Sequence, residues 1–223
     1  MALWNPAPIN RLLSALFEPP CAACKKTLRA PLDGAVCADC WAALSAARRL
    51  EYREADAAVS WWCAVDHYDG RMKELIHALK YERRRSIGPR LGELMRQRGE
   101  ELLRGAEAVV PVPLHRRREY ERGFNQADDL AQHLGVPRAR LLTRVIHTHS
   151  QIDLPRQARA RNVRAAFRLA NAEPLEMLPK VIVLVDDVAT TGSTLAECAK
   201  VLLRAGAQEV RALTAARVIN DRR

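Results

Sequence analysis

At 223 residues the chain has room for about one and a half ordinary domains, which argues for one full-sized domain with a small appendage. Hydrophobic residues at 48% and charged residues at 28% exclude a disordered, collagen-like or membrane-spanning protein, and aromatics at 5% make the core aliphatic. The formal charge of +10 favours polyanionic partners: nucleic acid, phosphorylated metabolites or acidic membrane surfaces.

Of the 36 cations, 30 are arginines, whose planar fork suits phosphate. The opening segment MALWNPAPINRLLSALFEPP lacks a basic start and an unbroken apolar stretch before a cleavage site. Its Ile9, Leu12, Leu13, Leu16 and Phe17 fall instead on one stripe of a short helix bounded by Pro8 and Pro19-Pro20. The longest β-type apolar run, 181–185, is too short for a bilayer, so no transmembrane segment and a cytoplasmic location are expected.

Cys21-x2-Cys24 and Cys37-x2-Cys40 follow, each pair offering two thiolates from one tight turn. Tetrahedral Zn2+ takes four such ligands, and four thiolates leave no open position, so the role expected of the metal is structural. Two disulfides are the alternative, disfavoured in a reducing compartment. A unit this small buries little core and leans on its metal. Cys63 and Cys198 are lone and read as packing residues. A helix is expected near 39–47, then a charged linker over 48–54, giving an N-terminal unit at 1–55 and a second domain at 56–223.

In the second domain apolar runs alternate with helical patterns. Strands are expected at 58–68, 108–114, 141–146, 181–186 and 209–218. Helices are expected on the Met72, Leu75, Ile76, Leu79 face, over roughly 89–103, on the Ala127, Leu130, Ala131, Leu134 stripe, and through Leu195, Cys198, Leu202 and Ala205. Helical crossovers of this length imply an α/β fold with a mainly parallel sheet covered on both faces, its ligands outside the C-terminal strand ends.

The most informative stretch is VIVLVDDVATTGSTL, 181–195. A strand delivers Asp186 and Asp187, and Ala189, Thr190, Thr191, Gly192, Ser193 and Thr194 lead into a helix. The helix N-terminus and four hydroxyls suit a phosphate dianion, while Gly192 lets the backbone approach it closely. Two adjacent carboxylates can accept hydrogen bonds from a ribose 2′- and 3′-hydroxyl pair. Together these residues describe a pocket for a ribose 5-phosphate. No Lys follows the glycine, so a Walker A loop is excluded.

The string resembles the 5-phosphoribosyl-1-pyrophosphate (PRPP) signature of type I phosphoribosyltransferases. Three further segments, DGRMKELIHALKY (69–81), PVPLHRRREYERGFNQADDLA (111–131) and HTHSQIDLPRQARARNVRAAF (147–167), narrow the resemblance to the competence protein F (ComF) family. With the cysteine pairs, the likeness runs over nearly the whole chain in the expected order. It implies a type I phosphoribosyltransferase fold with an N-terminal zinc ribbon where a hood would lie. It places Asp186 and Asp187 at the ribose, Thr190 to Thr194 at the 5′-phosphate, and the turn carrying Leu114 and His115 at pyrophosphate, with Mg2+ accompanying PRPP. It also implies handling of imported single-stranded DNA in natural transformation, with the DNA-uptake machinery at the inner membrane as a partner.

Residues 111–168 hold twelve Arg against five acids. Arg116, Arg117, Arg118 and Arg122 are therefore candidate contacts for nucleic acid or pyrophosphate, with Lys80 a further candidate that also fits a helix C-terminal cation. Tyr120 and Phe124 could stack bases, and core packing is the competing reading for Phe124. An active phosphoribosyltransferase using a nitrogen acceptor, and a zinc-ribbon sensor of PRPP, are the alternatives. The residues leave open whether PRPP is substrate or effector.

Overall fold

The central strands are buried on alternate faces, and this alternation builds two cores on one sheet. The computed structural model describes residues 6–46, 50–56, 58–145, 166–170 and 178–218. A five-stranded sheet has the order β1–β2–β7–β6–β3. Its strands are β1 Leu50–Asp56, β2 Val59–His67, β3 Ala108–Pro111, β6 Val181–Ala189 and β7 Glu209–Arg217. Only β1 is antiparallel; β2, β7, β6 and β3 are parallel. This is the mainly parallel sheet that the sequence implies.

Val183, Val185, Leu213 and Ala215 face one core, shared with helices α3 (Gly70–Tyr81), α4 (Ile87–Arg98) and α7 (Gln126–Ala131). Ile182, Leu184, Val210 and Ala212 face the other, shared with α8 (Ser193–Arg204) and a two-stranded antiparallel ribbon, β4 (Leu142–Arg144) and β5 (Phe167–Leu169). Crossovers between parallel strands place helices on both faces, so hydrocarbon must point both ways.

Several elements differ from expectation. The 48–54 segment, read as a linker, contributes most of β1, because charged residues on an edge strand mask its period-two pattern. The helix expected over 89–103 divides into α4 and α5 (Glu100–Leu103) at Gly99. A Cβ at Gly99 would lie 2.8 Å from the Leu213 side chain, so the break lets the helix approach β7. The 141–146 run forms β4, which pairs with β5 outside the main sheet. The strand expected over 108–114 stops at Pro111, and the segment 147–165 of the third family motif lies outside the described residues.

The N-terminal helix α1 (Ala7–Phe17) exposes Ile9, Leu12, Leu16 and Phe17 and buries Asn10, whose Oδ1 accepts from the Leu32 amide at 2.9 Å. A 3-10 turn (Pro31–Asp33) precedes α2 (Ala38–Ala46). Leu28, Val36, Trp41 and Leu44 of this N-terminal unit join the same core as α3 and α4. Arg98 fastens the joint, donating to the Leu44 and Ser45 carbonyls at 2.7 and 2.8 Å and to the Val65 carbonyl at 2.8 Å. Among the described residues, no helix is long and apolar enough to cross a membrane.

Candidate functional site

The C-terminal ends of β6 and β7 carry the polar residues. Val181 to Val185 propagate the strand, and Asp186 and Asp187 arrive where it leaves the core. The Asp186 carboxylate accepts from the Asp187 amide at 2.8 Å, which holds the two acids in a fixed relation. Lys80, in the last turn of α3, donates to Asp187 Oδ1 at 2.7 Å, with side chains only 16% and 9% exposed. Lys80 is thus a direct partner of Asp187.

Burial and the neighbouring Asp187 push the Asp186 carboxyl up to about 7, against the opposing pull of Lys80 and Arg144. The native state therefore binds a proton that the unfolded chain releases between pH 3.8 and about 7. Asp186 costs stability increasingly as pH rises through that window. Asp186→Asn should accordingly raise the unfolding free energy at pH 8 by on the order of 2–4 kcal/mol and leave it little changed near pH 4. Urea melts at the two pH values check this; equal midpoints for variant and parent at pH 8 would contradict it.

Beyond the acids the chain turns at Gly192, φ 76°, into α8. That left-handed geometry strains any L side chain, and a Cβ there would sit 3.4 Å from the Trp62 ring. Trp62 is held by its indole N–H on Thr214 Oγ1 at 3.1 Å and covered by the Arg217 guanidinium at 4.4 Å. Thr191 Oγ1 and Ser193 Oγ are 2.7 Å apart, so the hydroxyls converge where the first-turn N–H groups of α8 open. Positive dipole, amide donors and hydroxyls suit a dianion.

On the other flank, the Val112 amide donates to the Val185 carbonyl, carrying the chain past β6 towards Leu114 and His115. His115 caps α6 (Arg116–Arg122), its Nδ1 accepting from the Arg117 amide at 3.2 Å. Asn125 donates to the Val112 carbonyl at 3.0 Å and caps α7, which explains the use of the GFNQ string. Arg117 is taken up by Glu121 at 2.9 Å, and Arg116 is exposed. Arg118 and Arg122, the latter donating to Gln126 Oε1 at 2.8 Å, line a cavity of about 420 Å3 together with Lys80.

Tyr120 is 90% exposed, whereas Phe124 is buried beneath the Arg85 guanidinium, 5.0 Å from its ring. Phe124 is a core residue and offers no stacking face. Two site residues escape sequence reasoning. Tyr68 lies close enough to Lys80 and Asp187 to feel both charges, its hydroxyl pushed up chiefly by burial. Arg144, at the end of β4, is desolvated and acts on Asp186. For Tyr68 the available signal is its place just before the DGRMKELIHALKY segment; a lone arginine in a short strand has none.

The four cysteines also converge. Their sulfurs lie within 4.8 Å of one another, with Cys24 and Cys37 Sγ 3.8 Å apart. A tetrahedral zinc with Zn–S bonds of about 2.3 Å requires sulfurs about 3.8 Å apart, so the set fits a metal ion. Burial raises Cys21, but amide donors from Cys24, Cys37 and Ala23 outweigh it and bring the thiol down to about 6. Burial pushes Cys40 up to about 12, a bias that a bound dication would reverse.

The acid pair at a parallel strand end and the hydroxyl turn after it define a phosphoribosyltransferase-type domain, and residues 120–223 match the family model described as the phosphoribosyl transferase domain. The chain is 41% identical over 157 residues to the DNA utilization protein YhgH of Salmonella typhimurium, covering 66% of this chain and 67% of that one. It is 35% identical over 156 residues to competence protein F of Haemophilus influenzae, covering 66% and 68%. Competence protein ComFC of Bacillus subtilis matches at 38% over 98 residues, 44% and 39% of the two chains. The chain belongs to the competence protein F family.

Proposed function

We propose that this protein binds PRPP at residues 186–194 and handles single-stranded DNA during DNA uptake or utilization in the cytoplasm. The observation that carries the reading is the Lys80–Asp187–Asp186 constellation at a parallel strand end, followed by the hydroxyl turn. Asp186 and Asp187 accept from the ribose hydroxyls, and Thr190 to Thr194 donate to the 5′-phosphate, with Ala189 and Gly192 leaving room for the sugar. Leu114 and His115 border the diphosphate. Mg2+ bound with the diphosphate would offset its charge; Zn2+ on Cys21, Cys24, Cys37 and Cys40 is structural. The names of the relatives support the DNA role, and the basic surface around α6 supports a polyanionic partner.

Titrating the protein with Mg–PRPP while following thermal unfolding tests the sugar-phosphate site. A saturable rise in melting temperature is expected, absent from the Asp186→Asn, Asp187→Asn double variant. Because the site is occupied with Asp186 ionised, the apparent affinity should rise with pH up to about 7 and then level off. No rise at any pH would overturn the site.

A second reading, active transfer, draws on the same cation-rich flank. The C1–O bond to diphosphate breaks, its electron pair leaving with diphosphate, and a nitrogen lone pair forms the new C1–N bond, the proton of an N–H acceptor passing to the departing diphosphate or to water. Lys80 and the α6 arginines would stabilise the leaving group. Release of pyrophosphate from PRPP with a panel of bases, amines and nucleic acids decides between sensing and transfer.

A further inference from the structure

The cavity beside Lys80 is lined by Lys80, Tyr81, Arg83, Arg118, Glu121 and Arg122, four arginine or lysine side chains against one acid. Its volume, about 420 Å3, falls in the range of sites that hold a nucleotide-sized ligand. The acid, Glu121, has its carboxylate on Arg117 at 2.9 Å. The net field in the cavity is therefore cationic.

The segment after α3 is arranged to present Arg83. Arg84 donates to the Pro20 carbonyl of the N-terminal unit at 3.1 Å, and Arg85 grips Asp129 of α7 through two bonds of 2.8 Å. Both of these residues are engaged in holding the chain, while Arg83 just before them stands in the left-handed region, φ 54°. That conformation is uncommon for an arginine, and it falls between the end of α3 and the two anchored residues that follow. Arg83 is exposed, and its Nη2 donates to the Glu121 carbonyl at 3.2 Å, bridging the two walls. Tyr81 is 56% exposed, with the Arg122 guanidinium over its ring at 5.2 Å and the tilted His77 ring 4.9 Å away.

Cations that converge beside a partly exposed aromatic ring are the two components of sequence-tolerant strand binding, backbone phosphates on the cations and a base on the ring. We propose that this cavity seats one nucleotide unit of a single strand, its phosphates on Arg83, Arg118 and Arg122 and its base against Tyr81. Lys80 lines the same cavity and holds Asp187, so the strand meets the sugar-phosphate site at this lysine. The inference rests on the strand-handling half of the proposed function and adds the place and the residues.

Fluorescence anisotropy with labelled oligo-dT over a salt series tests it. Arg83→Ala with Arg118→Ala should weaken binding at least tenfold and reduce the salt slope by about 1.4, two single-strand phosphate contacts. Tyr81→Ala should weaken binding about 5- to 150-fold with the slope unchanged. In Arg83→Ala and Tyr81→Ala the melting-temperature rise given by Mg–PRPP should persist. Parental affinity in all these variants would overturn the proposal. Loss of the Mg–PRPP response together with oligonucleotide binding would also overturn it, assigning the cavity to the diphosphate. If the parent protein binds no oligonucleotide while Mg–PRPP still stabilises it, the strand-handling reading itself falls.

Discussion

Replacing Cys21 and Cys40 by serine should abolish metal binding and unfold the N-terminal unit. Each CxxC turn contributes two of the four converging sulfurs, and the apolar residues between them are few. Structural zinc supplies about 10–16 kcal/mol to peptides of this kind, far more than Leu28, Val36 and Trp41 can offer alone. The loss should not stay local. Lys25 pairs with Glu74 of α3 at 3.1 Å, Arg84 donates to the Pro20 carbonyl, and the Arg90 guanidinium covers Trp41 at 5.0 Å. We expect the variant to carry no stoichiometric zinc and to melt about 10–20 °C lower, a destabilisation on the order of 5 kcal/mol. Metal analysis of the purified protein with thermal unfolding checks both; unchanged melting in a metal-free variant would show that the cysteines are only packing.

Asp187→Asn should destabilise the fold and abolish sugar-phosphate binding, and the two effects can be separated. The variant leaves the Lys80 ammonium in a largely buried place without its carboxylate. Breaking one side of such a pair costs about 3–5 kcal/mol, whereas replacing both sides is often nearly neutral. Lys80→Met alone leaves two carboxylates together and pushes Asp186 further up. The double variant Lys80→Met, Asp187→Asn should therefore recover most of the stability while remaining unresponsive to Mg–PRPP. Urea unfolding gives the stability cycle, and ligand-induced shifts in melting temperature give the binding. If Asp187→Asn responds to Mg–PRPP like its parent, Asp187 has no part in the ligand site.

These pairs also show which features can be read from the chain. The 181–194 stretch is readable because strand, acids, hydroxyls and helix start are contiguous, and each has its own local chemistry. The cysteine set is readable because metal geometry demands that spacing. Lys80 is recognisable as a helix-end cation and a candidate phosphate contact; its bond to Asp187 depends on how α3 crosses the sheet, which the sheet order decides and residue spacing does not. Arg144 and Tyr68 are single residues whose environment comes wholly from tertiary packing. The charged β1 resembles a linker because edge strands carry charges to deter further pairing. Gly99 marks a helix break only once Leu213 of β7 is known to lie against it.

On the proposed function, Asp187 and the diphosphate of a sugar phosphate would compete for Lys80, and a strand in the adjoining cavity would approach the same ammonium. Energetic coupling between the two ligands follows if Lys80 changes partners, and linkage makes that coupling reciprocal.

A crystal structure of the protein with Mg–PRPP is the most direct test. It should place the 5′-phosphate within hydrogen-bond distance of the Thr191–Thr194 turn and the ribose hydroxyls on Asp186 and Asp187. A cleft left empty at saturating ligand, with Lys80 still closed on Asp187, would contradict the account.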